Sequence, residues 1–166
     1  MATQRSIFIT GGGSGIGRAT ALHFAARGWF VGVADINEAG MAETLSLISG
    51  DAKWQGKLDV RDRAAWDTAL AEFAAAAGGR IDAMVNNAGI GTGGALSELD
   101  PEEIDRCLDI NLKGVLYGAQ AVYPYLQKTA PGSALVNMAS AAGIAGSAGM
   151  SVYCATKFGV RAVSES

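Results

Sequence analysis

Tyr153 and Lys157 stand four residues apart near the end of this chain, a spacing that suits proton transfer if a helix carries them. Positions i and i+4 project from one face of a helix. A free phenol ionises near pH ~10 and so gives up its proton reluctantly at neutrality. A neighbouring ammonium favours the phenolate, and such a phenol can take a proton from an alcohol or hand one to a carbonyl. Ser140 follows an apolar run, where its hydroxyl can hydrogen-bond an oxygen on which charge develops. Alone, a Tyr/Lys pair is ordinary helix surface, and Ser140 between Ala139 and Ala141 is ordinary loop. Their weight comes from what stands upstream.

The first apolar run ends in Thr10-Gly11-Gly12-Gly13-Ser14-Gly15-Ile16-Gly17 and passes directly into a helical pattern. Glycines there let the backbone turn tightly and approach a pyrophosphate, whose charge the free N–H groups of the helix start stabilise. A glycine-rich turn is weak evidence by itself, but between the first strand and first helix of a βαβ unit it points to a nucleotide. Asp35 closes the second apolar run eighteen residues after Gly17, where a carboxylate can hydrogen-bond the adenosine ribose of NAD. The same charge repels the 2′-phosphate of NADP, since like charges ~4 Å apart cost about 1–4 kcal/mol near a protein surface. Ser14 and Ile36 bring no positive charge to that place, and Arg18 is the nearest cation. The expected cofactor is NAD, with NADP the weaker alternative.

The elements that must hold these groups alternate. Ser6–Thr10, Phe30–Asp35, Lys53–Leu58, Ile81–Asn86 and Ser133–Met138 read as strands. Between them the pattern predicts helices over Gly15–Arg27, closed by Gly28, and after Asn37, with Met41, Leu45 and Ile48 on one face. A third follows Asp62, with Trp66, Leu70 and Phe73 as its stripe. Asp100-Pro101-Glu102-Glu103 opens a further helix running to about Lys128, with a break expected near Asn111. Ser151 onward is helical again. Strict βαβα alternation with short connections requires a parallel sheet covered on both faces, the α/β doubly wound class.

With these residues in place the chain resembles the short-chain dehydrogenase/reductase family, from about Ser6 to the last residue. Thr10-Gly11-x-x-x-Gly15-Ile16-Gly17 is that family's form of the fingerprint, with one more residue between its first two glycines than the ordinary dinucleotide turn. Asp59-Val60 matches the family's adenine-contacting pair, and Asn86-Asn87-Ala88-Gly89 the segment that stabilises the sheet and lines the cofactor. Asn111, Ser140, Tyr153 and Lys157 match its catalytic tetrad in identity, order and approximate spacing.

The resemblance implies strand order 3-2-1-4-5 and hydride transfer between a nicotinamide cofactor and a secondary alcohol or ketone. The implied cofactor contacts are Gly11, Ser14, Gly15, Ile16, Gly17, Asp35, Asp59, Val60, Asn87 and Gly89, joined by Tyr153 and Lys157. Ser140 and Tyr153 meet the substrate, Lys157 also holds the nicotinamide ribose, and Asn111 keeps a water behind Lys157. A helix break at Asn111 would turn its backbone carbonyl to that water. Members of the family commonly pair through the helices that carry Asn111 and Lys157, so a homodimer or homotetramer is expected. They also continue past this helix with two more strands and a substrate-binding segment. Residues 1–166 therefore read as a single cofactor-binding and catalytic domain lacking its usual C-terminal part, and the last helix is expected to barely reach three turns.

Composition narrows the class further. With 49% hydrophobic and 17% charged residues the chain is globular, and a net charge of −3 without a Lys/Arg cluster gives no footprint for nucleic acid or an anionic membrane. Met1-Ala2-Thr3-Gln4-Arg5 runs straight into the first strand with no signal-peptide pattern, and no stretch resembles a membrane span. Two cysteines, Cys107 and Cys154, lie far apart and outside metal-like spacing, which suits reduced thiols in a cytoplasmic protein. No metal cluster is expected. His23 reads as surface or packing, and Trp29, Trp54 and Trp66 as core or sheet cover. The small, apolar loops Gly91–Gly94 and Gly143–Met150 are expected to line a site for an uncharged substrate. Two rivals stay open: a non-catalytic NAD-binding module, and a Rossmann-like methyltransferase, which leaves the tetrad without a joint role.

Overall fold

β-Strands whose every residue is buried need cover on both faces, and β1 (Ser6–Thr10) is such a strand. Its side chains alternate. Ile7 and Ile9 pack with Val31, Val33 and Met41 on one face, while Phe8 meets Trp66, Leu70 and Phe73 on the other. The computed structural model describes residues 4–166, so the reading of Met1, Ala2 and Thr3 lies outside the described residues. After β1 come α1 (Gly15–Ala25), β2 (Phe30–Asp35), α2 (Glu38–Ser46), β3 (Lys53–Lys57) and α3 (Arg63–Ala76). Then follow β4 (Ala83–Asn86), α4 (Pro101–Leu108), α5 (Gly114–Thr129), β5 (Ala134–Asn137) and α6 (Ser151–Glu165). All pairings are parallel and the sheet order is β3-β2-β1-β4-β5, as expected.

The caps anticipated from sequence act as such. Asn37 accepts from Gly40 N, Asp62 from Ala64 N and Ala65 N, and Asp100 from Glu102 N ahead of Pro101. Trp66 is fully buried and donates to Val60 O at 3.0 Å, which pins α3 beneath the loop after β3. Trp54 covers the edge of the sheet against Phe8 and Phe73, and Trp29 lies under the Arg5 guanidinium. His23 is exposed.

Three expectations need correction. β4 starts at Ala83 instead of Ile81; the Asp82 main chain still meets both neighbours, its N donating to Ser6 O at 3.1 Å and its O accepting from Ala134 N at 2.9 Å, while its carboxylate is taken by Ser6 N and by the Arg80 guanidinium. The helix around Asn111 does not break. Between α4 and α5 it passes through a π turn, Asp109–Lys113, in which Gly114 N reaches back to Asp109 O, so the rod is continuous from Pro101 to Thr129. And α6 runs for 15 residues, about four turns where barely three were expected.

The order places a switch between β1 and β4, since the chain winds outward to β3 and then returns to the other side of β1. At such a switch the loops leaving the strand ends part and open a crevice at the carboxyl edge of the sheet. β5 is the edge strand on that side, with Val136 47% exposed. No helix among the described residues is long and apolar enough to cross a membrane.

Candidate active site

The loop from β1 to α1 is built on glycines for steric reasons. Gly11 and Gly15 have φ of 66° and 52°, backbone that side-chain-bearing residues rarely adopt. Gly17 packs under the turn so closely that a Cβ there would lie 2.2 Å from Gly11 O. Asn87, just past β4, holds the same turn from the other side: its Nδ2 donates to Thr10 O at 2.9 Å and Gly11 O at 3.2 Å. Thr10 Oγ1 in return accepts from Asn87 N and Ala88 N, both at 3.1 Å. The hydroxyl of Ser14, at the start of α1, makes no capping hydrogen bond and is exposed.

Three concavities run along the crevice and share walls. The first, about 180 Å³, is lined by Gly11, Asp35, Asp59, Val60 and Gly89 among others. The second is lined by Gly11, Ser14, Gly15, Ile16, Asn87 and Gly89. The third holds Ile16, Asn87, Gly89, Ser140, Tyr153 and Lys157. Gly89 belongs to all three, Gly11 to the first two, and Ile16 and Asn87 to the last two. The result is one groove with an acid at one end, a glycine turn in the middle and a phenol at the other. Its shape and its glycine cradle fit a dinucleotide laid across the switch.

At the acid end, Asp35 Oδ2 accepts from Gly13 N at 2.9 Å and Oδ1 from Asn37 N at 3.0 Å. Each oxygen retains a lone pair for a hydroxyl group. The Asp59 carboxylate at the rim is bridged by Arg61 at 2.6 Å, and that side-chain bond holds it below the usual carboxylate range.

At the other end, Ser140 starts a short turn, and its Oγ accepts from Ala142 N at 3.2 Å, which leaves its O–H free to donate into the groove. Tyr153 is half-buried, and Lys157 Nζ lies 5.6 Å from its ring centroid. Lys157 is only 6% exposed, and its Nζ donates to Met138 O at 2.7 Å. Burial pushes this ammonium below the ordinary lysine range. The loops thought to flank the substrate do meet here. Gly91 and Met150 line the third concavity, and Gly94 N donates to Gly149 O at 2.8 Å.

Asn111 lies behind the groove and does not line it. It is fully buried in the π turn, where its Oδ1 accepts from Ile90 N and its Nδ2 donates to Ile90 O, both at 2.8 Å. Its side chain thus clamps the loop after β4 against the helix. The same Nδ2 also contacts Cys107 Sγ and Thr156 Oγ1, each at 3.4 Å. Sequence reasoning missed the carbonyls of Ile90 and Met138, which carry no sequence signal because every residue has one. Thr10 was visible only as part of the glycine motif.

The burial of Lys157 leads to a testable consequence. A lysine whose folded pKa is lowered binds fewer protons folded than unfolded, so stability rises with pH between the lowered value and 10.5. Below that window the fold carries the full cost of the buried ammonium. Lys157→Met therefore raises Tm by about 2–4 °C at neutral pH, and the gain shrinks as pH climbs through the window. Differential scanning calorimetry at several pH values checks this, and a lower Tm at neutral pH contradicts it.

The family model described as short chain dehydrogenase matches residues 5–166. The probable oxidoreductase EphD of Mycobacterium tuberculosis is 40% identical over 153 residues, covering 91% of this chain and 26% of the relative. The 2,5-dichloro-2,5-cyclohexadiene-1,4-diol dehydrogenase LinX of Sphingobium indicum is 37% identical, covering 95% of this chain and 63% of the relative. Among solved structures, a short chain dehydrogenase/reductase from Burkholderia phymatum in complex with NAD superposes with a TM-score of 0.94 at 30% identity, covering 99% of this chain and 60% of that one. The chain thus spans less than two-thirds of the length of each of these proteins.

Proposed function

Since the chain belongs to the short-chain dehydrogenase family, an oxidoreductase family that works with a nicotinamide cofactor, we propose that its groove binds NAD(H) and interconverts a secondary alcohol and its ketone. The observation that carries this reading is the shared groove, which puts Asp35, the glycine turn and the Ser140–Tyr153–Lys157 group along one continuous wall.

In this reading Asp35 and the rim at Asp59 and Val60 hold the adenosine half. Gly11, Ser14, Gly15, Ile16 and Gly17 take the pyrophosphate, and Asn87 and Gly89 line the middle. Bound NAD supplies a hydride acceptor. Ser140 donates a hydrogen bond to the substrate oxygen and fixes it beside Tyr153. Tyr153 is the general base in oxidation as the phenolate, which takes the alcohol proton, and the general acid in reduction as the phenol, which gives it back. Lys157 favours negative charge on the phenolic oxygen and reaches toward the nicotinamide ribose. Asn111 holds the loop at Ile90 in place, and a water behind Lys157 would complete the proton path. The helices that carry Asn111 and Lys157 are the faces through which a homodimer would form.

Fluorescence titration with NADH and NADPH tests the cofactor assignment. NADH binds at least about tenfold more tightly than NADPH, in line with the cost of placing a phosphate beside Asp35. Asp35→Ser narrows or inverts that ratio. Equal binding of both by the unaltered chain removes Asp35 as the discriminator. A dehydrogenase assay over a panel of secondary alcohols tests the chemistry, and NADH binding without turnover favours a cofactor-binding module.

A further inference from the structure

Arg18, on the first turn of α1, is engaged at three of its nitrogens. Nη2 donates to Gly13 O at 2.6 Å and to Glu43 Oε2 at 2.7 Å, Nη1 to Glu43 Oε1 at 2.8 Å, and Nε to Thr44 Oγ1 at 3.0 Å. Gly13 is also the residue whose N–H binds Asp35. A single glycine therefore separates this guanidinium from the carboxylate assigned to the ribose. A guanidinium fork matches a phosphate as well as it matches a carboxylate, and a helix N-terminus adds to its attraction for anions. Here a glutamate from α2 occupies the fork in a two-pronged pair, with side-chain exposures of 23% for Arg18 and 63% for Glu43.

We propose that Glu43 is a specificity-determining residue: by engaging Arg18 it withholds from a ribose 2′-phosphate the cation held on the glycine turn beside Asp35, and so acts with Asp35 to favour NADH over NADPH. The two carboxylates have different tasks. Asp35 repels the phosphate directly, whereas Glu43 removes its counter-charge. Because the pair is partly exposed, it contributes little to folding, and breaking it releases Nη1 and one contact of Nη2 at small structural cost, while Gly13 O and Thr44 Oγ1 keep the guanidinium beside the turn. This inference rests on the assignment of Asp35 to the adenosine ribose.

The experiment is fluorescence titration of NADH and NADPH against four proteins: the unaltered chain, Asp35→Asn, Asp35→Asn/Glu43→Gln, and the last with Arg18→Met added. Asn at position 35 keeps an acceptor for Gly13 N; where that variant melts early, Asp35→Ser replaces it throughout. Adding Glu43→Gln is expected to tighten NADPH about tenfold or more over Asp35→Asn alone, the scale of one freed charge-assisted contact. NADH affinity moves less than threefold, and Arg18→Met cancels the gain. The inference is overturned if Glu43→Gln leaves NADPH affinity unchanged, or if the gain survives without Arg18. In either case the Asp35 assignment still stands, provided that Asp35→Asn shifts the cofactor ratio. If the folded, unaltered chain binds neither nucleotide, the cofactor reading fails and takes this inference with it.

Discussion

Tyr153→Phe lowers kcat by about 10²- to 10⁴-fold, the span that a positioned general acid/base contributes, while NADH affinity stays within about threefold. The substitution removes one oxygen and keeps the ring, against which Lys157 Nζ rests 5.6 Å from the centroid. Packing around the half-buried side chain is retained, so thermal stability does not fall. The separation of effects is the informative part. A residue that only shaped the groove would move KM and cofactor affinity along with kcat, whereas a proton carrier moves kcat and spares binding. Steady-state kinetics with a secondary alcohol, set beside an NADH titration of the same protein, makes the distinction. Retention of a tenth or more of the activity would end the assignment of Tyr153 as the acid/base.

Gly17→Ala abolishes measurable NADH binding and destabilises the fold by about 1–3 kcal/mol, the usual cost of forcing a methyl group into a filled space. The added Cβ would stand 2.2 Å from Gly11 O, 2.8 Å from Gly11 C and 2.7 Å from Asn87 Nδ2. Two of these are backbone atoms of the turn itself, so the clash is relieved only by separating that turn from the start of α1. The movement also breaks the bonds from Asn87 to Thr10 O and Gly11 O that hold the turn. Gly146→Ala is the control. A Cβ there meets no atom within 4 Å, and neither binding nor Tm changes. Chemical denaturation gives the stability and fluorescence titration the affinity. NADH binding by Gly17→Ala as tight as by the unaltered chain would mean the turn does not cradle the cofactor.

Much of this protein is legible along the chain because its signals are local. Strand and helix periods depend on neighbours a few residues away, and the caps at Asn37, Asp62 and Asp100 act within three residues of themselves. The motif residues that pointed to a groove each lie at or just beyond a strand end, on the rigid turn into a helix, or on a helix that returns to the sheet. That is why Gly11, Asp35, Asp59, Ser140, Tyr153 and Lys157 all come to the carboxyl edge once the strands pair in parallel. The break expected at Asn111 shows where local signals stop. Nothing in Asp109-Ile110-Asn111-Leu112-Lys113 announces that the helix will take in one extra residue per turn and stay continuous.

The alternation of elements, the buried stripes and the identity of the chemical groups can be read along the chain, since each follows from residue type and short-range spacing. Which of those groups are free to act depends on contacts made across the folded chain. Arg18 is bound by Glu43 across 25 residues of chain, Asn111 clamps Ile90 across 21, and Lys157 rests on the carbonyl of Met138 across 19. Two of these three partners are peptide groups, identical at every position, and the third is one glutamate among several. Pairing at that range depends on how the helices pack, and no local pattern encodes it.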